Sequence, residues 1–201
     1  LVSATLDSET PTQFRISEGN GALIGEKTLR SKGAFGSAHV HLEFMLAEGG
    51  EALIGLEGLG RAVHIVDDKD ACGALVEVDP LNAAFVAQAG RTAPMATAYH
   101  GAGEWHELDL FFTSERWGDD GRKDSTRIER VLIDDVLQHE GVDGLSGGRN
   151  QLFVAPLTRG RVALRNIQVR PLDSPLDDRT WERVDVAAAW DAWESRGDAL
   201  W

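Results

Sequence analysis

The chain has 201 residues, enough for one large domain or two small ones, and 42% of them are hydrophobic, so a real core can be buried. Lys and Arg number 20 against 33 Asp and Glu, a formal charge of −13, and the pI is 4.8. That balance argues against a nucleic-acid partner or an anionic membrane surface, both of which need clustered positive charge, and leaves a neutral ligand unaffected. Cys72 is the single cysteine, so no intrachain disulfide and no cysteine-rich zinc cluster can form. No stretch approaches the roughly 18 apolar residues of a membrane span. The chain opens at Leu1 rather than Met, which fits a removed export signal or a trimmed sequence; the first predicts a secreted or periplasmic protein.

In chain order the dominant periodicity is two, punctuated by 22 glycines against 6 prolines, the pattern of many short strands joined by turns. In residues 37–46, Val40, Leu42, Phe44 and Leu46 fall on one face and His39, His41, Glu43 and Met45 on the other. Residues 52–58, 61–68 and 74–79 read similarly, and 80–102 form a long, alanine-rich segment without an assignment. Loops of that length are often functional. Further strands follow at 105–112, 127–134, 151–157 and 161–172, separated by turn signals such as Gly118-Asp119-Asp120-Gly121. Within 103–110, His106, Leu108 and Leu110 share one face; Trp105, Glu107 and Asp109 share the other. Eight or more such strands predict an all-β, two-sheet antiparallel jelly-roll sandwich over residues 1–172, because each sheet must bury its apolar face. Residues 173–201 read as a polar linker and a tail holding four of the six tryptophans, Trp181, Trp190, Trp193 and Trp201. Those side chains should be buried against this domain, a partner protein or a second domain, and a short amphipathic helix over 180–194 is predicted.

Five pieces in order resemble the 3-keto-disaccharide hydrolase (DUF1080) domains. FRISEGNGALIG (14–25) is similar to that family's W-x-V-E-D-G-x-L-x-G, FGSAHVHLEFML to Y-G-D-F-E-L-x-L-E-F-R-L, and RAVHIVDD with Gly73-Ala74-Leu75 to G-Y-E-V-Q-I-L-D-D then G-A-L-Y-G. GEWHELDL resembles G-E-W-N-x-Y-x-I, and VALRNIQVRPL resembles V-E-F-R-N-I-R-I-K-P-L. The resemblance implies a concanavalin A-like sandwich and a carbohydrate-active role. Several polar positions depart from it: Ala62 and His64 stand for Glu and Gln, Val76 for Tyr, His106 for Asn and Glu57 for Arg. The tail, AAWDAWESRGDALW, is similar to the segment that begins these domains, so it either supplies an edge strand here or opens a second copy.

For a 3-keto glycoside, a base removes the acidified C2 proton, the C1 oxygen leaves, and water adds to the resulting double bond. His41, Glu43 and His64 are the candidate catalytic residues, expected to converge on the concave face. Glu57, Asp67, Asp68 and His106 are the candidate substrate-binding residues. His39 and His41 also form an H-x-H pair able to present two imidazoles to a divalent metal ion such as zinc. The ordinary reading of such alternation is a solvated sheet face; Asp67 to Asp70 reads most simply as a charged turn, and Trp105 as a core or edge aromatic. Two functions stay open: a hydrolase or lyase of 3-keto-glycosides, and a non-catalytic module binding a glycan or a partner protein.

Overall fold

The computed structural model describes residues 14–17, 22–25, 29–31, 35–79, 84–85, 90–117, 123–145, 151–158, 161–172, 182–183 and 193–195. The strands run in chain order as β1 (Phe14–Ser17), β2 (Ala22–Gly25), β3 (Leu29–Ser31), β4 (Ala38–Leu46), β5 (Glu51–Leu56), β6 (Arg61–Val66), β7 (Ala74–Asp79), β8 (Ala84–Phe85) and β9 (His106–Thr113). They continue as β10 (Arg116–Trp117), β11 (Lys123–Asp124), β12 (Arg127–Ile133), β13 (Val136–Asp143), β14 (Leu152–Pro156), β15 (Val162–Pro171), β16 (Glu182–Arg183) and β17 (Trp193–Ser195). One 3-10 turn, Glu57–Leu59, closes on Gly60, whose φ of 64° suits glycine.

Two antiparallel sheets pack face to face, the all-β sandwich expected of the alternation. One has the order β1-β2-β15-β4-β9-β12-β13, with β16 also paired to β15, and the other the order β17-β3-β14-β5-β6-β7-β8. We call them the eight-stranded and the seven-stranded sheet. Val40, Leu42 and Phe44 of β4 and Leu108, Leu110 and Phe112 of β9 point into the core, where they meet Ile54, Val63, Ile65 and Val154 from the other sheet. Each such side chain contributes about 1.5–3 kcal/mol by leaving water. Because strand periodicity is two, filling the core with these residues turns His39, His41, Glu43, Trp105, Glu107 and Asp109 to the opposite face.

Two irregularities place polar groups. β15 bulges between Arg165 and Gln168 where it pairs with β4, and Asn166 adopts φ 51°, a left-handed conformation asparagine tolerates. β12 and β13 are joined by Asp134 (φ 48°) and Asp135 (φ 62°), a two-residue hairpin of the primed kind. β13 is missing from the sequence-based reading because Gln138 and His139 are buried, which breaks its alternation. The helix predicted over 180–194 is not formed where that span is described: β16 pairs with β15 and β17 extends the edge of the seven-stranded sheet beside β3. The remaining tail, with Trp181, Trp190 and Trp201, lies outside the described residues. Among the described residues no helix is long and apolar enough to cross a membrane.

Candidate functional site

The outward face of the eight-stranded sheet gathers two hydrogen-bonded groups. Register sets His41 opposite Asp109 and His39 opposite Phe111. Asp109 Oδ1 accepts from both imidazoles, His39 Nε2 at 2.6 Å and His41 Nδ1 at 3.0 Å. The His39 ring stacks on Phe111 at 3.7 Å between centroids. One strand over, Arg165 donates through Nε to Glu43 Oε2 at 2.5 Å, and Asn166 Nδ2 donates to Glu43 Oε1. Consecutive residues of a regular strand face opposite sides, so it is the β15 bulge that lets Arg165 and Asn166 both reach Glu43. The Arg165 guanidinium also lies 4.0 Å from the Trp105 ring centroid, an attractive cation–π geometry. Trp105 is half-buried on this outer face, an edge aromatic rather than a core one.

Their environments separate the two histidines. Burial holds His39 below its ordinary pKa despite the Asp109 contact, whereas the hydrogen bond to Asp109 raises His41. Burial alone would raise Asp109, but the bonds from His39 and His41 outweigh it and hold the carboxyl at about 2. An ionised Asp109 beside a chargeable, one-fifth-exposed His41 can orient that imidazole and move a proton through it.

His64 does not join this group, which corrects the expected convergence of His41, Glu43 and His64. His64 pairs across from Leu53, on the seven-stranded sheet's own outward face, so the whole sandwich separates it from His41 and Glu43. There its Nε2 meets Glu51 Oε1 at 2.7 Å and burial lowers its pKa. Its surroundings are apolar: Leu53, Ala62, Val76, Val78, Phe153 and Ala155 form a second hydrophobic cluster.

The four proposed substrate-binding residues also scatter. Glu57 starts the turn at one end of the β5–β6 hairpin and Asp67 follows β6 at the other, roughly 20 Å apart at 3.3 Å per residue. They cannot contact one small ligand. Asp68 organises its own turn, its Oδ1 accepting from the Asp70 amide at 3.0 Å. His106 points inward, fully buried, with Nδ1 2.6 Å from Asp134 Oδ2. Asp67 and His106 are linked through Tyr99, whose hydroxyl donates to Asp67 Oδ1 at 3.0 Å and whose ring lies 4.7 Å from the His106 ring. This buried polar chain pins the segment before β9 to the end of the sandwich. Among the described residues no group of three or more His, Cys, Asp and Glu side chains is arranged to hold a metal ion.

This architecture is shared with carbohydrate-active proteins of known structure. A candidate glycosyl hydrolase of Parabacteroides distasonis superposes with a TM-score of 0.55 at 15% identity, over 80% of this chain and 79% of that one. A second from the same organism gives 0.53 at 14% identity, over 82% and 93%. The carbohydrate-binding module CBM66 of Bacillus subtilis gives 0.50 at 9% identity, over 78% and 90%. The likeness is one of fold. No protein-family model and no curated protein sequence matches the chain.

Asp109, Arg165, Asn166 and Tyr99 are the residues that reading the sequence left out of the site. Asp109 was legible as a face-mate of Trp105, but only the strand register sets it against His41. Arg165 and Asn166 needed the bulge, and Tyr99, the chain's one tyrosine, sits in the segment that periodicity left unassigned.

Proposed function

We propose that the domain binds a carbohydrate on the outward face of the eight-stranded sheet, without catalysis. The observation that carries this reading is Trp105, half-buried on that face under Arg165 and beside two polar groups, each held by its own hydrogen bonds. An aromatic ring offers its face to the C–H side of a sugar, and fixed carboxylate, imidazole and guanidinium groups suit its hydroxyls. Glu43 is committed to Arg165 and Asn166, so it serves to position rather than to transfer protons. Support comes also from the fold shared with glycosyl hydrolases and a carbohydrate-binding module, and from the motif resemblance. Calorimetric titration of the full chain against a panel of neutral oligosaccharides tests it. Saturable binding that weakens at least tenfold in Trp105→Ala is expected; no binding, or binding indifferent to Trp105, overturns it.

A second reading, a 3-keto-glycoside hydrolase or lyase, is favoured by one feature, the His41–Asp109 pair. Neutral His41 would take the C2 proton and return it to the C1 oxygen, which would leave as the alcohol, and water would add across the resulting C1=C2 double bond. His64 cannot serve beside His41, and the stabiliser of the enolate oxygen would have to be Arg165. Release of free sugar from a 3-keto-disaccharide, rising with pH through the raised His41 pKa and lost in His41→Ala, would replace the binding reading with this one.

A further inference from the structure

Trp105 stands just outside the paired part of its strand. β9 pairs with β4 as far as Phe44–His106 and with β12 only as far as Leu108–Ile133, so neither ladder includes the tryptophan. On its N-terminal side Gly103, at φ 86°, is tied by its amide to the Leu46 carbonyl at 2.8 Å. On its C-terminal side Asp134, in the β12–β13 turn, makes three bonds to the two residues that follow. Its Oδ2 lies 2.6 Å from His106 Nδ1, its Oδ1 accepts from the Glu107 amide at 2.8 Å, and its own amide donates to the Glu107 carbonyl at 3.0 Å. Glycine would adopt the φ of 48° at position 134 more easily than aspartate. At the fully buried, inward position of His106 an apolar side chain would cost less. Each residue departs from the preference of its place, and the bond between them accounts for both departures.

We propose that Asp134 and His106 are positioning residues for Trp105, an inference that rests on the reading of Trp105 as a ligand contact. Successive residues of a strand face opposite ways, so holding the His106 ring inside the sandwich fixes how the Trp105 ring stands outside it, with the Arg165 guanidinium 4.0 Å from its centroid. The imidazole packs among the rings of Phe44, Tyr99 and His100, at 5.4, 4.7 and 5.7 Å between centroids. Its Nε2 is buried with no hydrogen-bond partner among the described residues, which leaves Asp134 as the polar anchor of the ring. The second carboxylate oxygen is taken up by the Glu107 amide. One side chain thus grips the start of β9 both through an inward side chain and through the backbone. His106 is fully buried, so its effect on a ligand passes through Trp105. A ring already held in its bound position loses less freedom when the ligand arrives, and removing the Asp134 carboxylate weakens binding without deleting a ligand contact.

Asp134→Gly in the full chain tests the proposal, since it removes the carboxylate and leaves a residue suited to the turn. Two signals in a nitrogen–proton correlation spectrum read Trp105 without any sugar: its indole N–H, assigned by Trp105→Phe, and the Arg165 Nε–H, which the Trp105 ring shifts. Both should move in Asp134→Gly, the Arg165 signal toward its place in Trp105→Phe. Calorimetric affinity for the tightest-binding oligosaccharide should fall about two- to tenfold, the cost of immobilising one side chain. Asp135→Gly, which alters the same turn and keeps the carboxylate, should leave both signals in place. Unmoved signals in Asp134→Gly overturn the proposal, as do moved signals with unchanged affinity, or an equal movement in Asp135→Gly, which would assign the effect to the turn backbone. If Asp134→Gly does not fold, Asp134→Asn decides, because it keeps the shape of the side chain and removes its charge: displaced signals support the proposal and unmoved ones refute it. The signals are read without sugar, so a wild-type chain that binds no oligosaccharide refutes the binding reading, while the hold of Asp134 on Trp105 stands or falls by the signals alone.

Discussion

Replacing Asp109 by Asn keeps the shape of the side chain and removes its charge, so it isolates what holds the His39–Asp109–His41 group together. Two imidazole bonds of 2.6 and 3.0 Å reach one oxygen, and hydrogen bonds to a charged group each contribute about 1.5–3 kcal/mol. Asn can still accept one of them, so the loss should be about 2–3 kcal/mol. The pKa gives a comparable figure: Asp109 lies at about 2 against an ordinary 3.8, worth about 1–2 kcal/mol once partial exposure is discounted. The pH dependence follows from the directions. The depressed Asp109 stabilises the fold above its ordinary pKa, and that contribution is lost as pH falls toward about 2. The raised His41 stabilises below its ordinary 6.5 and is lost as pH rises through the folded value. In the variant His39 also loses the contact that offsets its burial, which adds to the difference at low pH. Wild type and Asp109→Asn should therefore differ most between roughly pH 4 and 6.5. Urea denaturation at pH 5.5 and 8.5 measures this, and a melting difference of about 4–12 °C is expected at the lower pH. A difference below about 0.5 kcal/mol, or one equal at both pH values, refutes the coupling of these three residues.

Three other substitutions probe separate parts of the structure. Asp135→Gly keeps the Asp134 carboxylate on His106 and relieves a φ of 62°, giving the Asp-Gly pair such hairpins prefer; it should stabilise by about 0.5–1 kcal/mol in urea denaturation. Tyr99→Phe removes the bond to Asp67 while keeping the packing, and should cost about 1–2 kcal/mol with faster amide exchange at Gly101 and Gly103. Glu43→Gln leaves Arg165 without its carboxylate, and should cost about 1.5–3 kcal/mol in urea denaturation.

Most of the strand framework was legible because its core positions alternate without interruption: β4 observed at Ala38–Leu46 and β15 at Val162–Pro171 lie within a residue of their predicted bounds. β13 was not, since its inward face carries Gln138 and His139 rather than apolar residues. Strand phase placed His39, His41 and Glu43 together correctly, because neighbours at i and i+2 share a face whatever the fold. It could not say which sheet His64 joins, nor whether the outward faces of two sheets meet or diverge; that depends on strand order, which local pattern does not encode. The departures at Ala62 and Val76 carried more information than they first showed, as both belong to the apolar cluster around His64.

Mapping backbone amide shifts during titration with the tightest-binding oligosaccharide tests the central claim most directly. The account predicts that shifts centre on Trp105, Glu107, His41 and Arg165, on the outward face of the eight-stranded sheet. Shifts centred instead on Leu53, Ala62 and Val76, on the outward face of the other sheet, would contradict it.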